Sequence, residues 1–302
     1  MEPPRKAVAA LQPERFEAVF SYRIDFGHFA GVLDHPRLML DIDDPEHLRW
    51  QKRILATTGG AGDWRTRLDL KKLRRFEHAA AAKAKISFVC QVNDAKGWPI
   101  EPVVVPNCVD VVENPRRRDA GPMLVFVGNT TGGEQSPNAD ALRFFLRDIW
   151  PRIHQAVPAS RLVIAGDSNV AIRAMAGSMK NIEFLGFVGD LSEIYAEASI
   201  SVAPIRFGTG TRIKILDAFA HACPVVSTPI GAEGIDAIAG REIELADNAK
   251  DFAARCIHLL NHAPEREHMG RAGHALARRL YDRKLQNTRL VKLLGNFLGG
   301  SR

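Results

Sequence analysis

The sequence predicts an α/β protein whose larger part is a parallel sheet with helices on both faces. Beyond residue 122, short apolar runs alternate with segments of helical period, as expected of strands joined by crossover helices. The clearest unit, 200–228, contains an apolar run, the glycine-rich loop 208–211, a helical segment and a second apolar run. Glycine-bearing turns follow three predicted strands, where parallel sheets of this kind bind ligands. These turns lie at Gly128, Gly166 and Gly208.

Each element beyond residue 122 follows from its hydrophobic period and from the glycine and proline residues that bound it. The predicted strands are 123–127, 161–165, 182–185, 200–205 and 224–228. The predicted helices are 139–156, 170–178, 191–198, 212–222, 251–262, 265–280 and 285–298.

The first 112 residues give a thinner α/β pattern. Predicted strands lie at 16–22, 37–42, 86–92 and 102–106, and predicted helices follow Pro45 and cover 64–85. Residues 113–122 are polar and rich in proline and glycine, which is typical of a linker. We therefore expect an N-terminal domain over 1–112, a linker over 113–122 and a C-terminal domain over 123–302.

Composition is that of a globular protein, and the 302 residues suffice for two domains. Four widely separated cysteines argue against a zinc site or a disulfide framework and fit a reducing cytoplasm. No apolar run approaches the roughly 18 residues of a membrane-spanning helix. The net charge of +6 could attract polyphosphates, nucleic acid or an anionic membrane. Its two clusters, 71–75 and 116–118, also fit a solvated surface.

The loop 208–211 and the helix after it favour an anion. A helix N-terminus offers free N–H groups and the positive end of a dipole, and glycines permit close approach of the backbone. Lys214 and Asp217 share one helical stripe, whereas Arg212 falls within the apolar arc. A buried unpaired guanidinium is costly, so we expect Arg212 to reach past the helix end towards the loop or a ligand. The alternative is an ordinary strand-loop-helix unit with a solvated charged face.

A possible metal-binding pair precedes the first long helix. Asp41 and Asp43 have the alternation of carboxylates that can hold a divalent ion. Asp44 followed by Pro45 instead suggests a helix cap with proline in the first helical position, which accounts for the same acidic cluster. No other carboxylates converge nearby in sequence, so we expect no metal.

The second half of the sequence resembles the nucleotide-sugar-binding domain of retaining GT-B glycosyltransferases of family 4 (glycosyl transferases group 1). Five pieces carry the resemblance, in order, between residues 123 and 236. They are Phe126-Val-Gly-Asn129 with Pro137-Asn-Ala-Asp-Ala141; Arg161-Leu-Val-Ile-Ala-Gly166; Gly186-Phe-Val-Gly-Asp190; Gly208-Thr-Gly-Thr-Arg-Ile-Lys-Ile-Leu-Asp217; and Pro224-Val-Val-Ser-Thr228 with Gly231-Ala-Glu-Gly234. Pro106-Asn-Cys-Val-Asp110 is similar to the motif that closes the first domain of these enzymes, with Cys108 where glycine is usual.

Two departures from the family pattern stand out. The usual Glu-x7-Glu signature would fall on Thr209 and Asp217, so the first glutamate is absent and the second is shortened. The Gly-x-Gly-Thr-Arg-x-Lys loop is familiar in one branch of the family, which favours a variant site. The N-terminal part is also shorter than the family's acceptor domain, so the resemblance implies an N-terminally shortened, partial α/β domain beside a Rossmann-type donor domain.

The resemblance implies a hexosyltransferase-type enzyme that moves a sugar from a nucleotide diphosphate to an acceptor hydroxyl with retention. Arg212 and Lys214 would neutralise the departing diphosphate, and His28, near Arg23 and Asp25, would face the acceptor. The implied donor-binding residues are Gly128, Asn129, Gly186, Phe187, Val188, Gly208, Thr209, Gly210, Thr211 and Asp217. Asp217 would bind the ribose, the 186–188 backbone would contact the base, and neither metal nor cofactor would be needed.

The implied pathway is polysaccharide or glycoconjugate synthesis, with a glycan or a lipid-linked acceptor. The expected location is the cytoplasm, with possible peripheral contact at the inner membrane face and no nucleic-acid partner. A partner chain or dimer mate could complete the shortened cleft. Two alternatives stay open. One is a non-catalytic nucleotide-sugar-binding fragment or pseudoenzyme. The other is a different GT-B enzyme such as a nucleotide-sugar epimerase, whose carboxylate and histidine set is not found.

Overall fold

A computed structural model describes residues 4–58, 60, 62–133, 136–208 and 210–299. The strands are β1 (Val19–Tyr22), β2 (Leu38–Asp43), β3 (Ile86–Val89), β4 (Val103–Val104), β5 (Met123–Val127), β6 (Arg161–Ala165), β7 (Ile182–Gly186), β8 (Ile200–Ala203), β9 (Val225–Ser227) and β10 (Glu244–Leu245). The helices are α1 (Pro4–Ala10), α2 (Ile24–Ala30), α3 (Glu46–Thr58), α4 (Trp64–Lys83), α5 (Pro137–Phe144), α6 (Trp150–Ala156), α7 (Val170–Ala176), α8 (Ser192–Glu197), α9 (Ile213–Ala220), α10 (Ala249–Asn261), α11 (Ala263–Leu276) and α12 (Arg283–Gly299). Short 3₁₀ segments lie at Pro13–Arg15 and Val92–Ala95, and π-helical turns at Phe145–Ile149 and Ala277–Tyr281.

The chain divides into two compact units. Cys108–Gly208 and Arg212–Gln286 form the second unit, and the described residues of Met1–Asn107 and of Asn287–Arg302, with Gly210 and Thr211, form the first. The sequence prediction placed the last helix wholly in the C-terminal domain. In the structure most of α12, from Asn287 onward, groups with the first unit, where the Arg37 guanidinium donates to the carbonyl oxygen of Phe297 at 2.8 Å.

The first unit contains a four-stranded parallel sheet in the order β1-β2-β3-β4. Leu38 and Leu40 of β2 are fully buried with Ala81 of α4 in its core. The N-terminus of α3 is capped from α4, because the buried Glu77 carboxylate accepts the N–H groups of Glu46 at 2.8 Å and His47 at 3.1 Å. The acceptor for this helix start is therefore distant in sequence, whereas the sequence suggested a cap at Asp44-Pro45.

The second unit contains a six-stranded parallel sheet in the order β10-β9-β8-β5-β6-β7. Leu124 and Phe126 belong to a core cluster that includes residues of α5, α6 and α10. Met123 and Val125 belong to the other cluster, with residues of α8 and α9. Alternate residues of β5 thus serve opposite faces, and helices cover both, as the sequence predicted.

The predicted helix 139–156 is interrupted in the structure. It forms α5, a π-helical turn at Phe145–Ile149 and then α6. Pro151 gives the physical reason, because proline lacks an N–H group and its ring clashes with the carbonyl of the preceding turn. The sequence analysis also missed α1, α2 and β10, which are short and lack a clear period.

The arginines in the predicted linker contact α8. Arg117 donates to the carbonyl oxygens of Tyr195 and Ala198, at the end of this helix, where unpaired carbonyls favour a cation. Arg118 pairs with Glu193. The cluster 116–118 therefore includes arginines with partners inside the second unit.

The four cysteines are free thiols, with Cys223 and Cys256 fully buried in the second unit. Among the described residues, no helix combines the length and the apolar composition that crossing a membrane requires.

Candidate functional site

The carboxyl edge of the second sheet contains a topological switch point between β5 and β8. From β5 the strand order runs through β6 and β7 on one side, and from β8 through β9 and β10 on the other. The loops that follow β5 and β8 therefore lead to helices on opposite faces of the sheet, which opens the crevice where such folds bind ligands.

Backbone hydrogen bonds tie together the turns on the β5 side. The Gly128 N–H donates to the Ala165 carbonyl at 2.8 Å, and the Gly166 N–H donates to the Gly186 carbonyl at 2.7 Å. Gly166 has a φ of +124°, and a Cβ placed there would lie 2.5 Å from the Gly128 carbonyl oxygen. Only glycine fits this close approach without a backbone shift.

Lys214, in the first turn of α9, places its ammonium group at this crevice. Its Nζ donates to Asn138 Oδ1 at 2.7 Å and lies 4.8 Å from the centre of the Phe126 ring. No carboxylate of the described residues lies within ion-pair distance of this half-buried ammonium. Burial, with the nearby charge of Arg212, lowers the pKa of Lys214 to about 7.

Asn138 orients the acceptor that Lys214 uses. Its Nδ2 donates to the Asn129 carbonyl at 3.1 Å, which turns Oδ1 towards the ammonium. A Cβ on Gly128 would lie 2.9 Å from Lys214 Nζ, so the glycine makes room for this arrangement. The sequence analysis included Asn138 only in a family motif and missed its role, although a polar residue at the helix start after a glycine turn was a usable signal.

Arg212 turns back along the loop before α9, as its place on the helical wheel predicted. Its Nη2 donates to the Phe207 carbonyl at 3.4 Å. A Cβ on Gly208, whose φ is +109°, would lie 2.9 Å from the same nitrogen, so the guanidinium packs on the glycine backbone. Arg212 and Lys214 thus bring two cations to the end of one helix.

An ion pair stabilises the loop after β8. The Arg206 guanidinium donates through Nε to Asp140 Oδ2 at 2.9 Å, and it lies 4.7 Å from the centre of the Phe144 ring. Both partners belong to α5, so the loop is fixed to the helix that also carries Asn138. The sequence analysis did not identify this pair.

The structure describes two of the three loop residues that precede Arg212. Thr209 lies outside the described residues. Gly210 has a φ of +84°, a conformation that favours glycine. Thr211 is buried, and its hydroxyl oxygen has no hydrogen-bond partner among the described residues. Buried polar groups normally have partners, and a polar ligand atom beside this hydroxyl would provide one.

The Asp217 and Lys214 side chains form no hydrogen bond or ion pair with each other, although both residues lie on one stripe of α9. Burial raises the pKa of Asp217, and the charges of His221 and Arg283 oppose that rise. His221 Nδ1 lies 2.8 Å from the Asp217 carbonyl oxygen, and its ring stacks on Tyr195 at 5.0 Å. Asp217 therefore belongs to a neighbouring polar group on the same helix.

The remaining predicted donor residues lie at the ends of β5 and β7. Asn129 Oδ1 accepts the backbone N–H of Thr131 at 2.7 Å, which fixes the turn after β5. Gly186 has a φ of +71° at the end of β7, an edge strand of the sheet, and Val188 is half-buried just beyond it. The Phe187 side chain is 82% exposed, an unusual position for an aromatic ring.

His28 lies on α2 of the first unit, the helix that follows β1. Its ring is exposed and packs edge-on against Phe76, with 5.0 Å between ring centres. Arg23 pairs with Asp25 at 3.3 Å and with Glu46 at 3.2 Å, so its charge is compensated within the unit. The proposed acceptor role of His28 stays a prediction.

Three potential metal ligands in the first unit, Asp43, Asp44 and Cys90, have ligand atoms within 4.8 Å of one another. Asp41 Oδ1 accepts the Asp43 N–H at 3.1 Å, so this carboxylate stabilises the turn. Burial and the neighbouring carboxylates raise the pKa of Cys90 to about 12, so the thiol would have to lose a firmly held proton to bind a metal. That the protein needs no metal stays a prediction.

Comparison with solved structures defines the class of fold, which is that of the GT-B glycosyltransferases. The sucrose-phosphate synthase of Thermosynechococcus elongatus aligns over 98% of this chain and 78% of its own, with a TM-score of 0.74 and 13% identity. The pneumococcal O-GlcNAc transferase GtfA, solved with UDP and GlcNAc, aligns over 97% of this chain and 59% of its own, with a TM-score of 0.72 and 14% identity. Anabaena HepE, solved with UDP and glucose, aligns over 97% and 80%, with a TM-score of 0.67 and 14% identity.

Sequence comparison matches one segment of the chain to a protein family. Residues 121–262 match the family model of glycosyl transferases group 1. An uncharacterized 44.6 kDa protein in the cps region of Klebsiella pneumoniae is 28% identical over 148 residues, which are 46% of this chain and 37% of that protein. The match thus spans little more than a third of the curated relative.

A substitution at Gly166 tests the close packing of the turns at the crevice. We expect Gly166→Ala to destabilise the protein by about 1–3 kcal/mol, because the new Cβ would meet the Gly128 carbonyl in a conformation that only glycine adopts easily. Gly189→Ala is the matched control, since a Cβ there has no neighbour within 4 Å. Urea unfolding of both variants measures the difference, and equal stability would contradict the packing described.

Proposed function

We propose that this protein binds a nucleotide-diphosphate sugar at the β5–β8 crevice and transfers the sugar to an acceptor hydroxyl with retention of anomeric configuration. The observation that carries the proposal is the half-buried Lys214 ammonium, which has no carboxylate partner among the described residues. A diphosphate would supply the missing negative charge.

The loop before α9 supports the position of the phosphates. The Thr211 hydroxyl, which has no hydrogen-bond partner among the described residues, the first-turn N–H groups of α9 and the guanidinium of Arg212 belong to one short stretch of chain. Helix N-termini favour anions through their free N–H groups and their dipole. As the bond to the sugar breaks, negative charge would grow on the diphosphate, and Arg212 and Lys214 would stabilise it without a metal.

The other donor contacts follow from position along the carboxyl edge. The turn Gly128-Asn129 would contact the donor beside Lys214, and the 186–188 backbone would receive the base, with Phe187 available for stacking. Asp217 would accept hydrogen bonds from the ribose, and His28 of the first unit would contact the acceptor. UDP is the first nucleotide to test, because the solved GtfA and HepE structures contain it.

The class of acceptor is proposed from the sequence relatives. A relative in a cps region favours polysaccharide synthesis, and a glycan or a lipid-linked glycan is then the expected acceptor. We propose the cytoplasm as the location, with contact at the inner membrane face.

Loss of the two cations tests the donor site. We expect Arg212→Ala combined with Lys214→Ala to weaken binding of a UDP-sugar strongly, since each charge-assisted contact is worth about 1.5–3 kcal/mol. Arg278→Ala with Arg279→Ala removes the same charge from an exposed surface and serves as the control. Calorimetry on the full chain, repeated with GDP- and ADP-sugars, measures the affinity. Unchanged affinity of the double variant for every donor that binds would refute these roles.

A second candidate function is a nucleotide-sugar-binding module without transfer activity. The observation that favours it is an exposed apolar face in the first unit, at the edge strand β1 and at α2. Phe20, Tyr22, Phe26 and Phe29 are each more than half exposed there. Such a surface usually requires a covering partner, and the geometry of acceptor binding would depend on that partner.

Turnover distinguishes the two candidates. We expect the purified chain to bind donor but to consume it slowly as a monomer, because transfer needs the acceptor oriented against the anomeric carbon. A donor-consumption assay run beside size-exclusion chromatography measures activity and oligomeric state together. Fast transfer by a monomer would contradict the need for a partner, whereas binding without turnover in any oligomeric state would favour the module.

A further inference from the structure

The helical hairpin formed by α3 and α4 has a net charge equal to that of the whole sequence. Residues 46–83 contain ten Lys and Arg against four Asp and Glu, a net charge of +6, which is also the net charge of all 302 residues. The rest of the chain is therefore neutral overall. This concentration is not explained by the donor-site cations Arg212 and Lys214, which belong to the second unit.

Cations and exposed apolar side chains share one face of α4. Trp64, Arg67, Leu68, Lys71 and Arg75 follow the i, i+3, i+4, i+7, i+11 spacing of a single helical stripe. Trp64 is 68% exposed and Leu68 is 43% exposed. Two exposed apolar side chains therefore lie beside three cations on one face of this helix.

A cavity of about 490 Å³ opens between the two helices. Ile54, Leu55 and Leu70 give it apolar walls, and Arg67, Lys71 and Arg74 supply three cations. Lys71 and Arg74 have no ion-pair partner among the described residues, and Leu55 is 59% exposed. Cations above apolar walls suit an anion attached to an apolar chain, and the volume lies within the range of ligand pockets.

We propose that the α3–α4 hairpin docks on an anionic membrane surface and that its cavity receives the phosphate head group of one lipid. Arg67, Lys71 and Arg74 would bind the phosphate, and Leu55, Trp64 and Leu68 would enter the boundary between head groups and acyl chains. Nucleic acid would also satisfy the charge, but it would leave these apolar side chains without a function. The proposal does not depend on glycosyl transfer.

Vesicle binding by the 302-residue chain tests this surface. We expect sedimentation with phosphatidylglycerol vesicles but not with phosphatidylcholine vesicles, and loss of binding as salt is raised. The variant Arg67→Gln, Lys71→Gln, Arg74→Gln should bind the anionic vesicles on the order of a hundred-fold more weakly. The matched control Lys250→Gln, Arg278→Gln, Arg279→Gln removes three exposed cations from the second unit and should bind within about two-fold of the unchanged protein.

Three further arms make the result specific. Leu55→Ser with Leu68→Ser should weaken binding to the anionic vesicles while leaving every charge in place, and unchanged binding would remove the apolar part of the proposal. Glycerol phosphate at millimolar concentration should not release the protein, because the free head group lacks the chain; release would assign the cavity to soluble phosphates. Single-stranded RNA should bind more weakly than the vesicles, and equal binding lost in the same triple variant would favour nucleic acid.

The overall outcome is decided by the two triple variants. Equal loss in both would show that only total charge matters, and it would overturn the proposal, as would unchanged binding of the hairpin variant. Circular dichroism of each variant confirms that the protein is folded. Unchanged binding of a UDP-sugar confirms that the second unit is intact, so failure here is distinguishable from failure of the proposed function.

Discussion

The desolvation of one ammonium group is the constraint on which the site depends. Lys214 reaches from α9 to the end of β5, where it lies beside the Phe126 ring and donates to the amide oxygen of Asn138 at 2.7 Å. Burying a charged ammonium group there costs free energy, and binding of a dianionic ligand offsets part of that free energy. The glycines at 128 and 166 provide the space, and Arg206 with Asp140 holds the neighbouring loop. Ligand binding, rather than stability, explains this arrangement best.

Much of the second unit could be predicted because its strands are short apolar runs between glycine and proline residues. Strands 123–127 and 161–165 match the prediction to the residue, and both are buried on two faces, where hydrophobicity alone decides. The glycine turns were also identifiable, since close backbone approach leaves few other choices of residue. The first unit was harder because α1 and α2 are short and lack a clear hydrophobic period, whereas its long helix was predicted to within two residues.

Contacts between distant residues could not be read from spacing. Asn138 and Lys214 are 76 positions apart in the sequence, and neither residue type indicates that the two form a hydrogen bond. Likewise, the capping of α3 by Glu77 replaces a local cap that the sequence suggested. The helical wheel placed Lys214 and Asp217 on one stripe, but the Lys214 ammonium donates to Asn138, and the charges that act on Asp217 are those of His221 and Arg283. The excess positive charge lies in one stretch of sequence, 46–83, and the structure shows that this stretch forms the hairpin of α3 and α4.

The most direct measurement is the pKa of Lys214, followed by NMR of the side-chain carbon next to Nζ, with Lys214→Met to assign the signal. The account predicts a pKa of about 7 in the free protein and a rise when a nucleotide-diphosphate sugar binds, because the diphosphate favours the charged form. Donor affinity should then fall as pH rises above about 7, by up to roughly ten-fold per pH unit. The phosphates of such a donor do not titrate in this range, so the fall would belong to the protein. A pKa near the ordinary 10.5 that the donor leaves unchanged would contradict the account.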